Sequence, residues 1–94
     1  MESLEDMRKS IDNIDNAIVA MFAELFKVTD RVGEFKARNG LAAKDEAREA
    51  VQFARISELA EQYGLDGSFA RSQLESVLTR VVERHKEIAA LHQR

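Results

Sequence analysis

Residues 4–38 read LEDMRKSIDNIDNAIVAMFAELFKVTDRVGEFKAR. Within them Leu4, Met7, Ile11, Ile14, Ile18, Met21, Leu25, Val28, Val32 and Phe35 stand alternately three and four apart. That spacing aligns apolar side chains on one helical face and forms a coiled-coil-like seam. Ser3, with Asp6 three residues later, supplies an N-cap, and Asn39-Gly40 supplies a stop, so the pattern predicts one helix from Leu4 to Arg38. At 1.5 Å per residue it runs roughly 50 Å, against a radius of gyration near 13 Å for a compact domain of this size. Its own chain cannot cover it.

Beyond the stop, Leu41 to Lys44 form a short connection, and Asp45 can cap a second helix carrying Ala47, Val51, Ala54, Ile56, Leu59 and Tyr63, with Gly64 as its C-cap. Leu65-Asp66-Gly67-Ser68 then forms a tight link, with Asp66 or Ser68 as the next cap. The third helix carries Phe69, Leu74, Val77, Leu78, Val81, His85, Ile88 and Leu91. The fold class expected is all-α, with a long, a short and a medium helix in a single domain of residues 1–94. An intertwined homodimer best covers the first helix, although a helical-bundle adaptor without chemistry accounts for the seam equally well.

Composition agrees and excludes several functions. The chain has 94 residues, no proline, four glycines, 45% hydrophobic and 33% charged residues, which favours helix throughout and excludes disorder by low hydrophobicity. Fourteen basic residues against 17 acidic give a net charge of -3 without runs of one sign, so neither nucleic acid nor a membrane surface is expected as a partner. There is no cysteine, and His85 and His92 are the only histidines, so no metal site is expected. The start Met1-Glu2-Ser3-Leu4-Glu5-Asp6 lacks the basic and apolar blocks of a signal peptide, and no apolar run is long enough to span a bilayer. A cytoplasmic location is therefore expected.

No glycine-rich phosphate loop, nucleophile elbow or HExxH pattern is present. What remains are cations at separated places: Arg8 in the first turns, Lys36 near the end of the long helix, and Arg48, followed by Glu49, opening the second. Singly, each also suits a solvated helix surface or an ordinary first-turn charge. Together Arg8, Lys36 and Arg48 suggest a site for a small dicarboxylate, bound by charge-assisted hydrogen bonds and by the positive end of the second helix.

Four segments, in order, resemble the all-helical class of chorismate mutases. Met7-Arg8-Lys9-Ser10-Ile11-Asp12-Asn13-Ile14-Asp15 is similar to the family's opening Leu-Arg-x-x-Ile-Asp-x-Ile-Asp, and Val32-Gly33-Glu34-Phe35-Lys36 to its Val-Gly-x-x-Lys. Asp45 with Ala47-Arg48-Glu49 resembles the Asp-x-x-Arg-Glu step, and Gly64-Leu65-Asp66 the entry to the last helix. The resemblance implies an interlocked homodimer whose two pockets are each completed by an arginine, here Arg8, from the other chain's first helix. It implies conversion of chorismate to prephenate by a concerted Claisen rearrangement, which requires no cofactor. Such a reaction needs a flexible dicarboxylate held in its folded conformer and positive donors where the ether oxygen gathers charge.

Carried over position by position, the resemblance makes Arg8 and Arg48 carboxylate clamps, Lys36 a donor shared between a carboxylate and the ether oxygen, and Glu49 the acceptor for the ring hydroxyl. Asp45 falls at the rim. His85 falls where many relatives have a glutamine facing the ether oxygen, and Val81 where some have a serine. His85 also lies on the Leu78, Val81, Ile88 stripe, which equally suits a packing histidine. The departure is Leu25: Ala23-Glu24-Leu25 stands where the family has Ala-Glu-Arg, a substrate-binding arginine, and neither Lys27 nor Arg31 shares that face well. Three functions follow: a chorismate mutase with activity reduced by Leu25, a non-catalytic or regulatory dimer of the same fold, or a relative acting on isochorismate or amino-deoxychorismate.

Overall fold

The computed structural model describes residues 1–93, so Arg94 of the expected 1–94 domain lies outside them. Three helices follow one another: α1 (Leu4–Arg38), α2 (Glu46–Gln62) and α3 (Gly67–His92). No strand occurs among the described residues. Each start is capped by a side chain. Ser3 Oγ accepts from the Asp6 N–H (3.1 Å) while Asp6 Oδ2 accepts from the Ser3 N–H (3.3 Å), a reciprocal pair. Asp45 Oδ1 accepts from the Arg48 N–H (3.0 Å), and Asp66 Oδ1 from the Ser68 N–H (2.9 Å). Asp66, rather than Ser68, is therefore the cap of α3.

The first two helices end alike. Asn39 and Tyr63 are the C-caps, each followed by a glycine in the left-handed region, Gly40 at φ 64° and Gly64 at φ 69°. The next residue closes the turn: the Leu41 N–H donates to the Lys36 carbonyl (2.9 Å) and the Leu65 N–H to the Ala60 carbonyl (2.8 Å). The C-cap expected at Gly64 thus falls one residue earlier, because Gly64 supplies the positive φ just beyond the helix end.

α3 packs against both other helices, and α1 and α2 do not pack on each other. The result is elongated, 61 × 26 × 14 Å. Its buried centre is small: Gly33 of α1, Ala60 of α2, and Leu78, His85 and Ile88 of α3. All ten seam residues of α1 are exposed, from Leu4 at 59% to Phe35 at 57%. Among the described residues no helix is long and apolar enough to cross a membrane.

Candidate functional site

Lys36 stands in the last turn of α1, where the chain turns away toward α2. Its ammonium donates to the Ala43 carbonyl in the connecting segment (3.1 Å) and faces Nδ1 of His85 on α3 (3.3 Å). One nitrogen thereby ties together three parts of the chain. An ammonium has three N–H donors and no acceptor, so two directions are taken within the chain and one is left for a ligand. Lys36 lines a depression of about 530 Å³ with Leu41, Ala42, Lys44, Asp45 and Glu46.

His85 is 3% exposed. Its Nε2 lies 2.7 Å from the Thr29 carbonyl of α1, and no buried polar side-chain atom lacks a partner among the described residues. The ring reaches α1 because position 33 has no side chain. A Cβ built on Gly33 would stand 2.7 Å from His85 Cδ2 and 2.9 Å from Ile88 Cδ1, closer than nonbonded carbons tolerate. Thr29 lies one turn before Gly33 on the same helix, so this bare patch of backbone admits the imidazole to the Thr29 carbonyl.

Around the start of α2, Asp45 serves as N-cap, and Glu49, whose side chain is 18% exposed, is ion-paired with Lys44 at 3.1 Å. Lys44 also borders a second depression, of about 420 Å³, shared with Glu49, Phe53, Leu78 and Val82 between α2 and α3. Arg48 is exposed on the first turn of α2, and Val81 is half-buried one turn before His85. Among the described residues, no group of three or more His, Cys, Asp or Glu side chains is placed to hold a metal ion.

Within one chain, then, Lys36 meets His85, and Asp45, Arg48 and Glu49 gather at the neighbouring start of α2. Two expected residues stand apart. Arg8 lies on the same unbroken helix as Lys36, 28 residues away and so roughly 42 Å along its axis; a site holding both needs two chains. Leu25 belongs to an apolar surface with Ile14, Ala17, Ile18, Met21 and Phe22, roughly 16 Å from Lys36 along the helix. The sequence had not singled out Thr29, Ala43 or Lys44. Two of these act through backbone carbonyls, which leave no mark in residue type, and the one signal nearby was a glycine inside a helix, where alanine is the better former.

Comparison with known proteins shows the family. The family described as chorismate mutase type II matches residues 7–86. Over 66 residues the chain is 35% identical to a protein of Methanocaldococcus jannaschii named chorismate mutase, covering 70% of this chain and 67% of that one. Over 83 residues it is 34% identical to the bifunctional chorismate mutase/prephenate dehydratase of Aquifex aeolicus, covering 87% of this chain and 22% of the relative. It is 30% identical over 80 residues to the T-protein of Haemophilus influenzae, covering 85% of this chain and 20% of that protein. The chain therefore spans about a fifth of the length of these last two.

Proposed function

The chain belongs to the chorismate mutase type II family, and from that membership we infer that it is a chorismate mutase, an isomerase that rearranges chorismate to prephenate in aromatic amino acid biosynthesis. The observation that carries this is the match over residues 7–86, which includes every position of the expected cage from Arg8 to His85. In the rearrangement the ether C–O bond breaks as a C–C bond forms, within one molecule. The protein's task is to hold the folded conformer and to stabilise charge growing on the ether oxygen. Lys36 donates there, a role supported by the N–H direction its ammonium has left after Ala43 and His85. Arg48 at the start of α2 meets a substrate carboxylate, with the helix dipole adding to the attraction, and Glu49 accepts from the ring hydroxyl once Lys44 yields.

The working unit is a homodimer in which a second copy brings Arg8 to the Lys36 end of the first, and its location is the cytoplasm. Surface area supports the dimer. A folded monomer of 10.6 kDa exposes about 5,500 Å², and this chain exposes 7480 Å². The surplus, on the order of 2,000 Å² per chain, matches what obligate dimers bury and coincides with the bare seam of α1. Mass measurement in solution checks it, and a folded monomer at micromolar concentration would remove the shared pocket.

Leu25 favours a second reading, a non-catalytic dimer, because an apolar residue at this position offers a carboxylate nothing. One assay separates the two. Purified protein incubated with chorismate should lose the diene absorbance and yield chemically identified prephenate. No conversion beyond the spontaneous rate would support the non-catalytic dimer, and conversion of isochorismate or amino-deoxychorismate alone would reassign the substrate.

A further inference from the structure

We infer that His85 is a positioning residue: a neutral imidazole, fixed in one tautomer, that holds the Lys36 ammonium in place and does not itself touch the substrate. This deepens the mutase reading and rests on it for the identity of the ligand. The two partners of the ring force its protonation. A carbonyl only accepts, so Nε2, 2.7 Å from the Thr29 oxygen, must carry the proton. An ammonium only donates, so Nδ1, 3.3 Å from Lys36 Nζ, must present its lone pair. A doubly protonated ring would set an N–H against the ammonium. Both nitrogens are thus committed inside the chain, and the ring is 3% exposed, leaving no proton for a substrate oxygen. The direct donation expected from the family glutamine passes instead to Lys36, whose Nζ is held from two sides by His85 and Ala43. Gly33 is part of the same device, since it lets the ring edge lie against α1.

Asparagine and glutamine at position 85 separate the two roles. In His85→Asn the amide oxygen occupies the place of Nδ1 and can accept from Lys36. In His85→Gln the longer side chain returns a donor at the place of Nε2 and gives up the acceptor at Nδ1. Positioning therefore predicts that His85→Gln lowers kcat about 10- to 100-fold with little change in KM, the loss of one hydrogen bond to a charged group, while His85→Asn retains clearly more. Glutamine as good as histidine, and better than asparagine, would overturn the inference in favour of direct donation. Circular dichroism confirms that both variants fold.

Two spectroscopic readouts need no turnover. In 15N-histidine-labelled parent protein, one ring, absent from a His85 variant and distinct from His92, should show a pyrrole-like Nε2 and a pyridine-like Nδ1. A proton on Nδ1 would refute the assignment. The Lys36 ammonium should give a slowly exchanging 15N signal in the parent and in His85→Asn, lost in His85→Gln. An unaltered signal in His85→Gln would show that the ring does not hold Lys36. Absence of chorismate turnover in the parent, by contrast, would refute the proposed activity and leave these two measurements to decide the role of His85.

Discussion

Replacing Gly33 with alanine sets two known effects against each other. Inside an exposed helix the change is favourable by about 1 kcal/mol, because alanine loses less backbone freedom on folding. Here the new methyl would sit 2.7 Å from His85 Cδ2 and 2.9 Å from Ile88 Cδ1. Neither can retreat into solvent: Ile88 is 1% exposed and His85 3%. Overpacking of this kind costs about 1–3 kcal/mol, and if the ring gives way its bond to the Thr29 carbonyl is lost, at a further 1–3 kcal/mol or so for a buried polar group left unpaired. The balance is a loss of about 2 kcal/mol or more, equivalent to a fall in melting temperature of roughly 10 °C for a chain this short. Gly67 supplies the control, since it lies in α3 with nothing within 4 Å of a built Cβ, and Gly67→Ala should be neutral or slightly stabilising. Thermal melts of the two variants at matched concentration decide it. If Gly33→Ala melts with or above Gly67→Ala, α1 and α3 are not in the close contact described, and the route by which His85 reaches Thr29 is wrong.

Arg8→Ala, Lys36→Ala and Arg48→Ala should each lower chorismate turnover by about 10²-fold or more, as for loss of a donor aimed at developing or fixed charge; parental rates in all three would make these residues surface charges. Leu25→Arg should raise turnover and tighten substrate binding while lowering the melting temperature, because it exchanges an apolar seam residue for a cation that only a carboxylate compensates; a leucine protein already as fast as the arginine variant would mean that another cation serves. On the outer face of α3, the hydrogen bond from Arg84 (3.1 Å) holds the Glu87 carboxyl below its usual value and raises Arg84. A lowered carboxylate stabilises the fold above its unfolded value and ceases to do so as pH falls through the folded one. Glu87→Gln should therefore cost a small amount of stability at about pH 7 that vanishes as acid protonates the carboxyl in the folded state too, and a urea-midpoint difference that widened in acid would reverse the sign of the assignment.

The helices were legible because their signals are local. Ser3 with Asp6, Asn39 with Gly40, and Asp45 each act within four residues of their position, so their caps follow from the order of residue types. Lys36 and Asp45 end at one depression because they flank one short connection, whereas the roles proposed for Lys36, Asp45, Arg48 and Glu49 came from the family resemblance and not from their spacing. Gly64 and Asp66 show the usual limit, a boundary uncertain by a residue or two. What could not be read was contact between distant segments through groups that every residue carries. The Thr29 and Ala43 carbonyls are backbone atoms, and their engagement depends on how closely α3 lies on α1 and on where the connection passes. The competing uses of His85, packing or chemistry, could be separated only after both ring nitrogens had partners.

The unbroken length of α1 has a genetic consequence. Arg8 and Lys36 sit on one rod, too far apart to serve one pocket from a single chain. In the proposed dimer each pocket draws its lysine from one copy and its arginine from the other. Two inactive alleles, one carrying Arg8→Ala and the other Lys36→Ala, should then complement each other. In a mixed dimer one pocket receives both defects and the other receives neither. Random reassortment makes half of the dimers mixed, so unfolding and refolding the two variants together should restore about a quarter of parental turnover. Two defects within the same pocket-forming set, Lys36→Ala mixed with Arg48→Ala, should restore none, because every pocket keeps one of them.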